Sequence, residues 1–184
     1  MTAPRVCILL ADGLEDIEAI TLIDVLRRAG VDVTTLGVTG AEVTSAHNVT
    51  IKADALLSDA GGEWDLVVLP GGIPGAEHLR DSEAVQSLVK SQVASGRKVA
   101  AICAAPIALA AAGVLEGRRA TCYPGFDGQL AGANYCEDTV VVDGPVITSR
   151  GPGTALAFAL NLVAELCGET TAAELSEGML VGAR

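Results

Sequence analysis

The sequence predicts an α/β fold with a doubly wound, mostly parallel sheet and helices on both faces. Apolar runs typical of buried strands alternate with segments of helical spacing along the 184 residues. These runs lack polar alternation, as strands covered on both faces do. Hydrophobic residues make up 50% of the chain and aromatic residues only 3%, which favours an aliphatic core with close helix–sheet contacts. A single domain over residues 1–184 is long enough to bury such a core.

The first quarter of the chain predicts a strand–helix–strand unit followed by a hairpin. The run RVCILLADG indicates a buried strand, and LEDIEAITLIDVLRRAG has apolar residues at helical spacing. Two arginines followed by Gly30 match the preferences of a helix C-terminus. The run VDVTTLGV predicts the second strand. The segment AEVTSAHNVTIKAD predicts a small hairpin with His47 and Asn48 near its turn.

Two further strand–helix units occupy the middle of the chain. The segment WDLVVLPGGIPGAEHL predicts a strand that runs into a Gly-Gly loop, and the next helix has Ser82 as its N-cap and Gly96 after its end. The run VAAI, residues 99–102, then predicts a buried strand. It stops at Cys103, and a helix follows in which Pro106 occupies the first turn.

The last third of the chain predicts short strands and two helices. A short strand is expected near Ala120 and Thr121, and TVVVDGPVITS predicts a pair of strands joined by a turn at Asp143 and Gly144. The segment GPGTALAFALNLVAELCG predicts a long apolar helix, and TTAAELSEGMLV predicts one more.

Composition and charge argue against several classes of partner. The formal net charge of −11 disfavours nucleic acid and anionic membranes. No apolar stretch approaches the roughly twenty residues that span a bilayer, and no signal peptide is expected. The five cysteines are odd in number and show no C-x-x-C spacing, so neither a disulfide framework nor a metal site is predicted. Free thiols in a reducing cytoplasm are the simplest interpretation.

Three loops are expected at the carboxyl ends of the strands, where open α/β sheets bind their ligands. They cover residues 12–18, 71–75 and 103–106. Cys103 would lie on a sharp strand-to-helix turn, where helix N–H groups favour a thiolate and could hold an oxyanion. Because free cysteine is also among the most buried residue types, the residues alone allow a second interpretation, in which Cys103 only fills space in the apolar core.

The other two loops also allow two interpretations each. The acids Glu15, Asp16 and Glu18 suit a helix N-terminus for dipole reasons alone, but one of them could face Cys103 and titrate with it as a coupled pair. The pair Gly71–Gly72 could be only a turn, or could let backbone approach a ligand closely.

Neither histidine supports a cysteine–histidine dyad by its position. His47 and His78 are both distant from Cys103 in the sequence, and an alanine follows the cysteine. A lone histidine is more often structural than catalytic, so the spacing of these residues does not predict a catalytic cysteine–histidine dyad.

Taken together, the segments resemble the ThiJ/PfpI superfamily, in the branch of the Parkinson's-disease-associated protein deglycase and its bacterial relatives. The matching stretches are LADGLEDIEAITLIDVLRRAG, DLVVLPGGIPGAEHL, VAAICAAP, TCYPG and ITSRGPGTALAFALNLV. They cover nearly the whole chain in the expected order. The resemblance implies a flavodoxin-like sheet of the class I glutamine amidotransferase type and a cytoplasmic homodimer.

The resemblance also implies roles for individual residues. Cys103 would be the reactive cysteine of the elbow, and Glu18 would form a hydrogen bond with it. Gly72 and Ala104 would offer backbone N–H groups. The resemblance places a further group around the pocket: Glu15, Gly71, Tyr123, Arg150, Gly151 and Pro152.

Two positions depart from the family pattern. Many relatives carry a histidine where this chain has Tyr123, and a phenol is a poor general base near neutral pH. By the resemblance, His47 matches the hairpin position at which a family member has an arginine that reaches the site from the partner subunit, which leaves open a role for His47 across the dimer.

The resemblance favours a cofactor-independent enzyme. Its substrates would be methylglyoxal, glyoxal or their glycated adducts, with Cys103 as the nucleophile and Glu18 as the proton shuttle, in a glyoxalase III or deglycase-type reaction. The alternative is an oxidative-stress sensor or redox-regulated chaperone in which a low-pKa, exposed Cys103 is oxidised to a sulfinate. A cysteine peptidase is a third hypothesis, and Ala104 and Tyr123 weigh against it.

Overall fold

The computed structural model describes residues 2–182; residues 1, 183 and 184, which belong to the predicted domain, lie outside the described range. The strands are, in chain order, β1 (Arg5–Leu10), β2 (Asp32–Gly37), β3 (Glu42–Thr44), β4 (Thr50–Lys52), β5 (Ala55–Leu56), β6 (Leu66–Leu69), β7 (Lys98–Ile102), β8 (Arg119–Ala120), β9 (Asn134–Tyr135), β10 (Val140–Asp143) and β11 (Val146–Ser149). The helices are α1 (Asp16–Arg28), α2 (Gly75–Asp81), α3 (Glu83–Ala94), α4 (Pro106–Ala111), α5 (Ala155–Cys167) and α6 (Glu169–Gly178).

A seven-stranded sheet organises the described residues. Its strand order is β10-β11-β7-β6-β1-β2-β5, and only the β10–β11 pair is antiparallel. The five central strands follow the flavodoxin-like order, which confirms the predicted fold class. In this order β1 lies beside both β2 and β6, so the chain reverses its winding direction between β1 and β6. That reversal opens a crevice at the carboxyl ends of these strands.

Alternate residues of the strands pack into two separate hydrophobic cores, one on each face of the sheet. On one face, Ile8 of β1 packs in a cluster with Leu22 of α1 and Phe158 of α5. On the other face, Leu9 packs in a cluster with Leu79 of α2 and Val89 of α3. Burial on both faces explains why the strands are continuous apolar runs. Within residues 2–182, no helix combines the length and apolar content that crossing a bilayer requires.

Most of the elements predicted from sequence are confirmed. The Ser82 side chain accepts a hydrogen bond from the Val85 N–H at the start of α3, as an N-cap does. The β3–β4 hairpin forms, and Asn48 adopts a φ of 63° in its turn. Asp143 and Gly144 connect β10 to β11 as expected.

Short elements account for the differences from the prediction. The residues after the Gly-Gly loop, for which the sequence predicts no element, form α2, which buries Ala76 and Leu79. The two-residue strands β5 and β9 were also missed. Segments of this length carry too few residues to show a period of their own.

Candidate active site

Cys103 lies on an elbow between the carboxyl end of β7 and α4. Its φ of 65° is in the left-handed region, which is rare for a residue with a Cβ and confirms the predicted sharp turn. The Cys103 N–H donates to the Ser149 carbonyl at 3.0 Å, and the Cys103 carbonyl accepts from the Tyr123 N–H at 2.8 Å. Two backbone hydrogen bonds therefore hold the strained residue in place. Only 8% of Cys103 is exposed.

Glu18 reaches the elbow from the first turn of α1, although it is completely buried. Its Oε2 accepts a hydrogen bond from the Gly71 N–H at 2.8 Å. Its other oxygen, Oε1, is buried and has no hydrogen-bond partner among the described residues. The Cys103 thiol nevertheless interacts with this carboxyl closely enough to shift the pKa of both groups.

Gly71 makes the contact between the thiol and the carboxyl sterically feasible. A Cβ at this position would lie 2.6 Å from the Cys103 Cβ and 2.7 Å from Glu18 Oε2. Real Cβ atoms do not approach other atoms so closely, so any larger residue would push the two groups apart. The Gly71 carbonyl also accepts from the Glu15 N–H at 2.9 Å, which fastens the loop to the start of α1.

Two backbone N–H groups point at the Cys103 side chain. Those of Gly72 and Ala104 both lower the pKa of the thiol by hydrogen bonding. Gly72 has a φ of 93°, which favours glycine, and its backbone lies directly against residues 13–15. The three predicted loops therefore meet, and the N–H donors converge where a charge on sulfur or on an adjacent oxygen would develop.

Burial and coupling set the protonation of the pair. Burial raises the pKa of Glu18 to about 7, and burial together with the Glu18 charge raises the pKa of Cys103 to about 12. The N–H groups lower the pKa of the thiol, as the helix N-terminus predicts, but desolvation and the Glu18 carboxylate outweigh them, and Cys103 is buried where the redox hypothesis assumed an exposed thiol. The two groups titrate as one unit that keeps its last proton well above neutral pH.

Residues after β8 and β11 form the rim beside the elbow. The Tyr123 ring is 45% exposed, and a Cβ on Gly151 would lie 3.0 Å from Tyr123 Cδ2, so the ring covers this glycine closely. Arg150 donates to the Glu137 carbonyl at 3.4 Å. Pro152 starts a short 3₁₀ helix over Pro152–Thr154 that leads into α5.

Hydrogen bonds that the sequence does not predict hold this rim together. The Thr154 hydroxyl lies 2.7 Å from the Ser149 hydroxyl and accepts from the Gly151 N–H at 3.0 Å. Ser149 in turn donates to the Thr139 carbonyl at 2.7 Å. Isolated hydroxyl residues give no pattern by which such a network could be predicted.

His47 contacts its own chain rather than the elbow. Its Nδ1 lies 2.7 Å from Asp16 Oδ2 and 3.9 Å from Glu15 Oε2. The hydrogen bond to Asp16 and the charge of Glu15 raise the pKa of His47. Burial would raise the pKa of Asp16, but hydrogen bonds from Ser45 and His47 lower it overall. A contact of His47 with a partner subunit stays a prediction.

No hydrogen bond within residues 2–182 joins a histidine to Cys103. His78 lies on α2, with its Nδ1 3.0 Å from the Asp12 carbonyl. A cavity of about 430 Å³ opens at the opposite end of the sheet, and Lys98 and Glu165 form an ion pair in its wall. The described residues that line this cavity include no cysteine.

The fold and this site define a class of protein: a flavodoxin-like α/β protein with a cysteine on the strand-to-helix elbow beside a buried carboxyl. The sequence model of the DJ-1/PfpI family matches residues 4–165. The chain belongs to the DJ-1/PfpI family, as its similarity to individual members also shows.

Individual relatives agree over nearly the full length of the chain. Protein dj-1beta of Drosophila melanogaster is 46% identical over 95% of this chain and 95% of the relative. The crystal structure of Drosophila melanogaster DJ-1beta has a TM-score of 0.95 and covers 98% of this chain and 100% of that chain, at 43% identity.

Two more relatives have names that bear on function. A Caenorhabditis elegans protein named glutathione-independent glyoxalase DJR-1.2 is 38% identical over 85% of both chains. The structure of Toxoplasma gondii DJ-1, described as oxidized, has a TM-score of 0.94 at 37% identity and covers 98% of this chain and 100% of that chain. Some relatives are longer: this chain spans 40% of the Arabidopsis thaliana protein DJ-1 homolog B, to which it is 46% identical over 94% of its own length.

The raised pKa of Glu18 predicts a pH-dependent stability. Between the ordinary pKa of 4.5 and the folded value of about 7, the folded state binds more protons than the unfolded state, so stability falls as pH rises through this window. Relative to Glu18→Gln, wild type should therefore lose up to about 3 kcal/mol of its free energy of unfolding between about pH 4.5 and pH 8. Urea denaturation of both proteins across this range measures the difference.

The matched control is Glu177→Gln, which removes an exposed carboxylate on α6. Its difference from wild type should stay nearly constant over the same range. A constant difference for Glu18→Gln as well would contradict the raised pKa.

Proposed function

We propose that this protein is a cofactor-independent glyoxalase or deglycase-type enzyme acting on methylglyoxal, glyoxal or their amine and thiol adducts. The observation that carries the proposal is the buried Cys103–Glu18 pair, with the N–H groups of Gly72 and Ala104 directed at the sulfur. The relative named glutathione-independent glyoxalase supports the same substrate class.

The first step is attack of the Cys103 sulfur on the aldehyde carbon. A thiolate with a protonated Glu18 has the same number of protons as a thiol with a carboxylate, so the nucleophile forms by transfer of one proton within the pair. As the C–S bond forms, the carbonyl π electrons move to oxygen. The N–H groups of Gly72 and Ala104 stabilise this oxyanion, and Glu18 returns the proton to give a hemithioacetal.

The second step is an isomerisation that Glu18 catalyses as a proton shuttle. The carboxylate removes the C1 hydrogen and the neighbouring ketone is protonated, which gives an enediol. Glu18 then returns its proton to C2, and the C1 hydroxyl gives its proton to solvent, which leaves a thioester of the α-hydroxy acid. Water cleaves the C–S bond and restores the thiol, so that methylglyoxal and one water yield lactate without an oxidant or reductant. A carboxyl with a pKa of about 7 can both accept and donate protons near neutral pH.

Access to the sulfur favours a small substrate. Cys103 is only 8% exposed, so a compact aldehyde reaches the sulfur more readily than a folded polypeptide does. A peptidase would in addition need a group that removes the thiol proton as a base and then gives it to the leaving amine as an acid. Tyr123, which stands where many relatives carry a histidine, is a weak base near neutral pH.

The redox-sensor hypothesis remains the second candidate. One observation favours it: a relative 37% identical to this chain has a structure described as oxidized. A sulfinate at Cys103 would be stabilised by the same N–H groups and by a protonated Glu18. Oxidation also needs the thiolate, which the same proton transfer from Cys103 to Glu18 would supply, but the burial of the thiol restricts the approach of an oxidant.

We also propose that the protein forms a homodimer through the exposed face of α1. Ile17 and Ile20 lie one helical turn apart and are 56% and 48% exposed, and Val49 on the adjacent hairpin is 48% exposed. The hairpin is fastened to the start of α1 by the Ala46 N–H, which donates to the Leu14 carbonyl at 2.8 Å. Several exposed apolar residues on neighbouring elements favour an interaction surface here.

The enzymatic proposal predicts that purified protein converts methylglyoxal to lactate in large molar excess over the enzyme. Cys103→Ser removes the nucleophile and Glu18→Gln removes the proton shuttle, so each should lower kcat/KM by at least about 100-fold. Lactate is quantified in the presence of a chelator, so that no added metal contributes.

The control is Cys167→Ser, which replaces a thiol at the end of α5 and should keep wild-type activity. Aldehyde loss without lactate, or equal rates in all variants, would contradict the enzymatic proposal. Intact mass after peroxide treatment then tests the sensor hypothesis, which requires two oxygen atoms to be added to wild type and none to Cys103→Ser.

The dimer proposal predicts a mass of two chains in size-exclusion chromatography with light scattering. The double variant Ile17→Glu, Ile20→Glu places charges on the apolar face and should elute as a single chain. Val142→Glu changes a residue on edge strand β10 that is 41% exposed, and it should leave the dimer intact. A monomeric wild type, or dissociation by Val142→Glu alone, would contradict the proposed interface.

A further inference from the structure

Two hydroxyl side chains beside the elbow take no part in the proposed reaction. Ser149 ends β11 and is completely buried, and Thr154 closes the rim loop, residues 150–154. The Ser149 Oγ lies 2.7 Å from Thr154 Oγ1 and 2.7 Å from the Thr139 carbonyl oxygen. Thr154 Oγ1 also lies 3.0 Å from the Gly151 nitrogen. The two hydroxyls therefore join the end of β11, the rim loop and the residue before β10.

The number of protons gives this hydroxyl chain a direction. Each hydroxyl donates one proton and also accepts hydrogen bonds, whereas an N–H only donates and a carbonyl only accepts. For all three contacts to form at once, Gly151 donates to Thr154, which donates to Ser149. Ser149 then donates to the Thr139 carbonyl. The Gly151 carbonyl, 2.9 Å from Thr154 Oγ1, is the alternative acceptor of the Thr154 proton, so Thr154 holds the Gly151 backbone in either case.

Both backbone hydrogen bonds of Cys103 lead to this hydroxyl chain. The Cys103 N–H donates to the carbonyl of Ser149, whose side chain is fixed by the chain. The Cys103 carbonyl accepts from the Tyr123 N–H. The Tyr123 ring lies directly against Gly151, whose backbone Thr154 holds. A displacement of either hydroxyl would therefore be passed to the residue that carries the sulfur.

The elbow requires support because its backbone is strained. The φ of 65° at Cys103 costs free energy for a residue with a Cβ, and such a conformation persists only where its surroundings hold it. The sulfur must also stay beside the N–H groups of Gly72 and Ala104 if these are to stabilise an oxyanion. A misplacement of about 1 Å can lower the rate of such a reaction by about 100-fold.

We propose that Ser149 and Thr154 are positioning residues for the reaction at Cys103. Their hydroxyl chain fixes the rim loop and holds the elbow in the geometry that directs the sulfur at the aldehyde carbon. The kinetic consequence rests on the proposed function, whereas the support of the elbow backbone does not. Hydrogen bonds in a chain polarise one another, so the loss of one hydroxyl weakens the remaining contacts as well.

The first test is the rate of lactate formation from methylglyoxal by Thr154→Val, which keeps the shape of the side chain and removes its hydroxyl. Its kcat should fall by at least about tenfold while KM stays within about threefold, because alignment rather than binding is impaired. Thr154→Ser keeps the hydroxyl and should restore kcat to within about twofold of wild type. The matched control is Thr171→Val, which removes a hydroxyl that donates to the Cys167 carbonyl and should change neither constant.

Ser149→Ala removes the neighbouring hydroxyl of the same chain and should also lower kcat by at least about tenfold. Because the two side chains act as a unit, the double variant Ser149→Ala, Thr154→Val should stay within about threefold of the more impaired single variant. Independent contributions would instead multiply, and that result would contradict a shared hydroxyl chain.

The second readout uses no aldehyde: amide hydrogen exchange followed by NMR. The amides of Cys103 and Tyr123 should exchange at least about tenfold faster in Thr154→Val, while the amide of Ile8 in β1 keeps its rate. A general loss of stability would accelerate the exchange of Ile8 as well, since core amides exchange through global unfolding. The comparison therefore separates local support of the elbow from a merely structural role.

Three results would overturn the proposal. They are unchanged exchange at Cys103 in Thr154→Val, equal acceleration of Cys103 and Ile8, and failure of Thr154→Ser to restore kcat. If wild type forms no lactate, the proposed function fails, and the exchange rates alone decide whether the hydroxyl chain holds the elbow. Failure of the inference and failure of the proposed function are thus distinguishable.

Discussion

The burial of one carboxyl group against one thiol is the constraint on which the rest of the site depends. Glu18 has no exposed surface, and its carboxylate would be strongly disfavoured there without the Gly71 N–H. Protonation of Glu18 removes part of this cost, because a neutral carboxyl group is easier to bury than a carboxylate. The pair therefore keeps a proton at neutral pH, and this retained proton is what makes acid–base chemistry at the adjacent sulfur feasible.

The fold supplies the other parts of the site through the reversal of winding between β1 and β6. That reversal brings the ends of β1, β6 and β7 side by side. Glu18 of α1, two N–H groups of the Gly-Gly loop and the sulfur of the elbow therefore lie close together. The strain at Cys103 is held by backbone hydrogen bonds to Ser149 and Tyr123. The arrangement thus follows from topology more than from any single motif.

Much of this could be predicted from sequence because its signals are local. The continuous apolar runs predicted the buried strands, Ser82 predicted the start of α3, and Cys103 between a strand and Pro106 predicted the elbow. Electrostatic effects could not be predicted in the same way. The pKa of Cys103 depends on how deeply the side chain is buried and on the distance to Glu18, and neither quantity is visible in a spacing pattern.

Contacts between segments that are distant in the sequence could not be predicted either. Asp16 and His47 meet only because the hairpin folds back onto α1, and Thr154 bonds to Ser149 only because the rim loop turns sharply. The acidic character of residues 15–18 was explained equally well by the helix dipole. Distinguishing a dipole effect from a buried partner requires the three-dimensional contact itself.

The most direct test of the central claim is the infrared carbonyl stretch of a protonated carboxyl, followed as a function of pH. The band is isolated as the difference between wild type and Glu18→Gln. The account predicts a protonated Glu18 band that persists to near neutral pH and declines with a midpoint of about 7, since burial raises the pKa of this group. A band that disappears near pH 4.5, the ordinary pKa of a glutamate, would contradict the account.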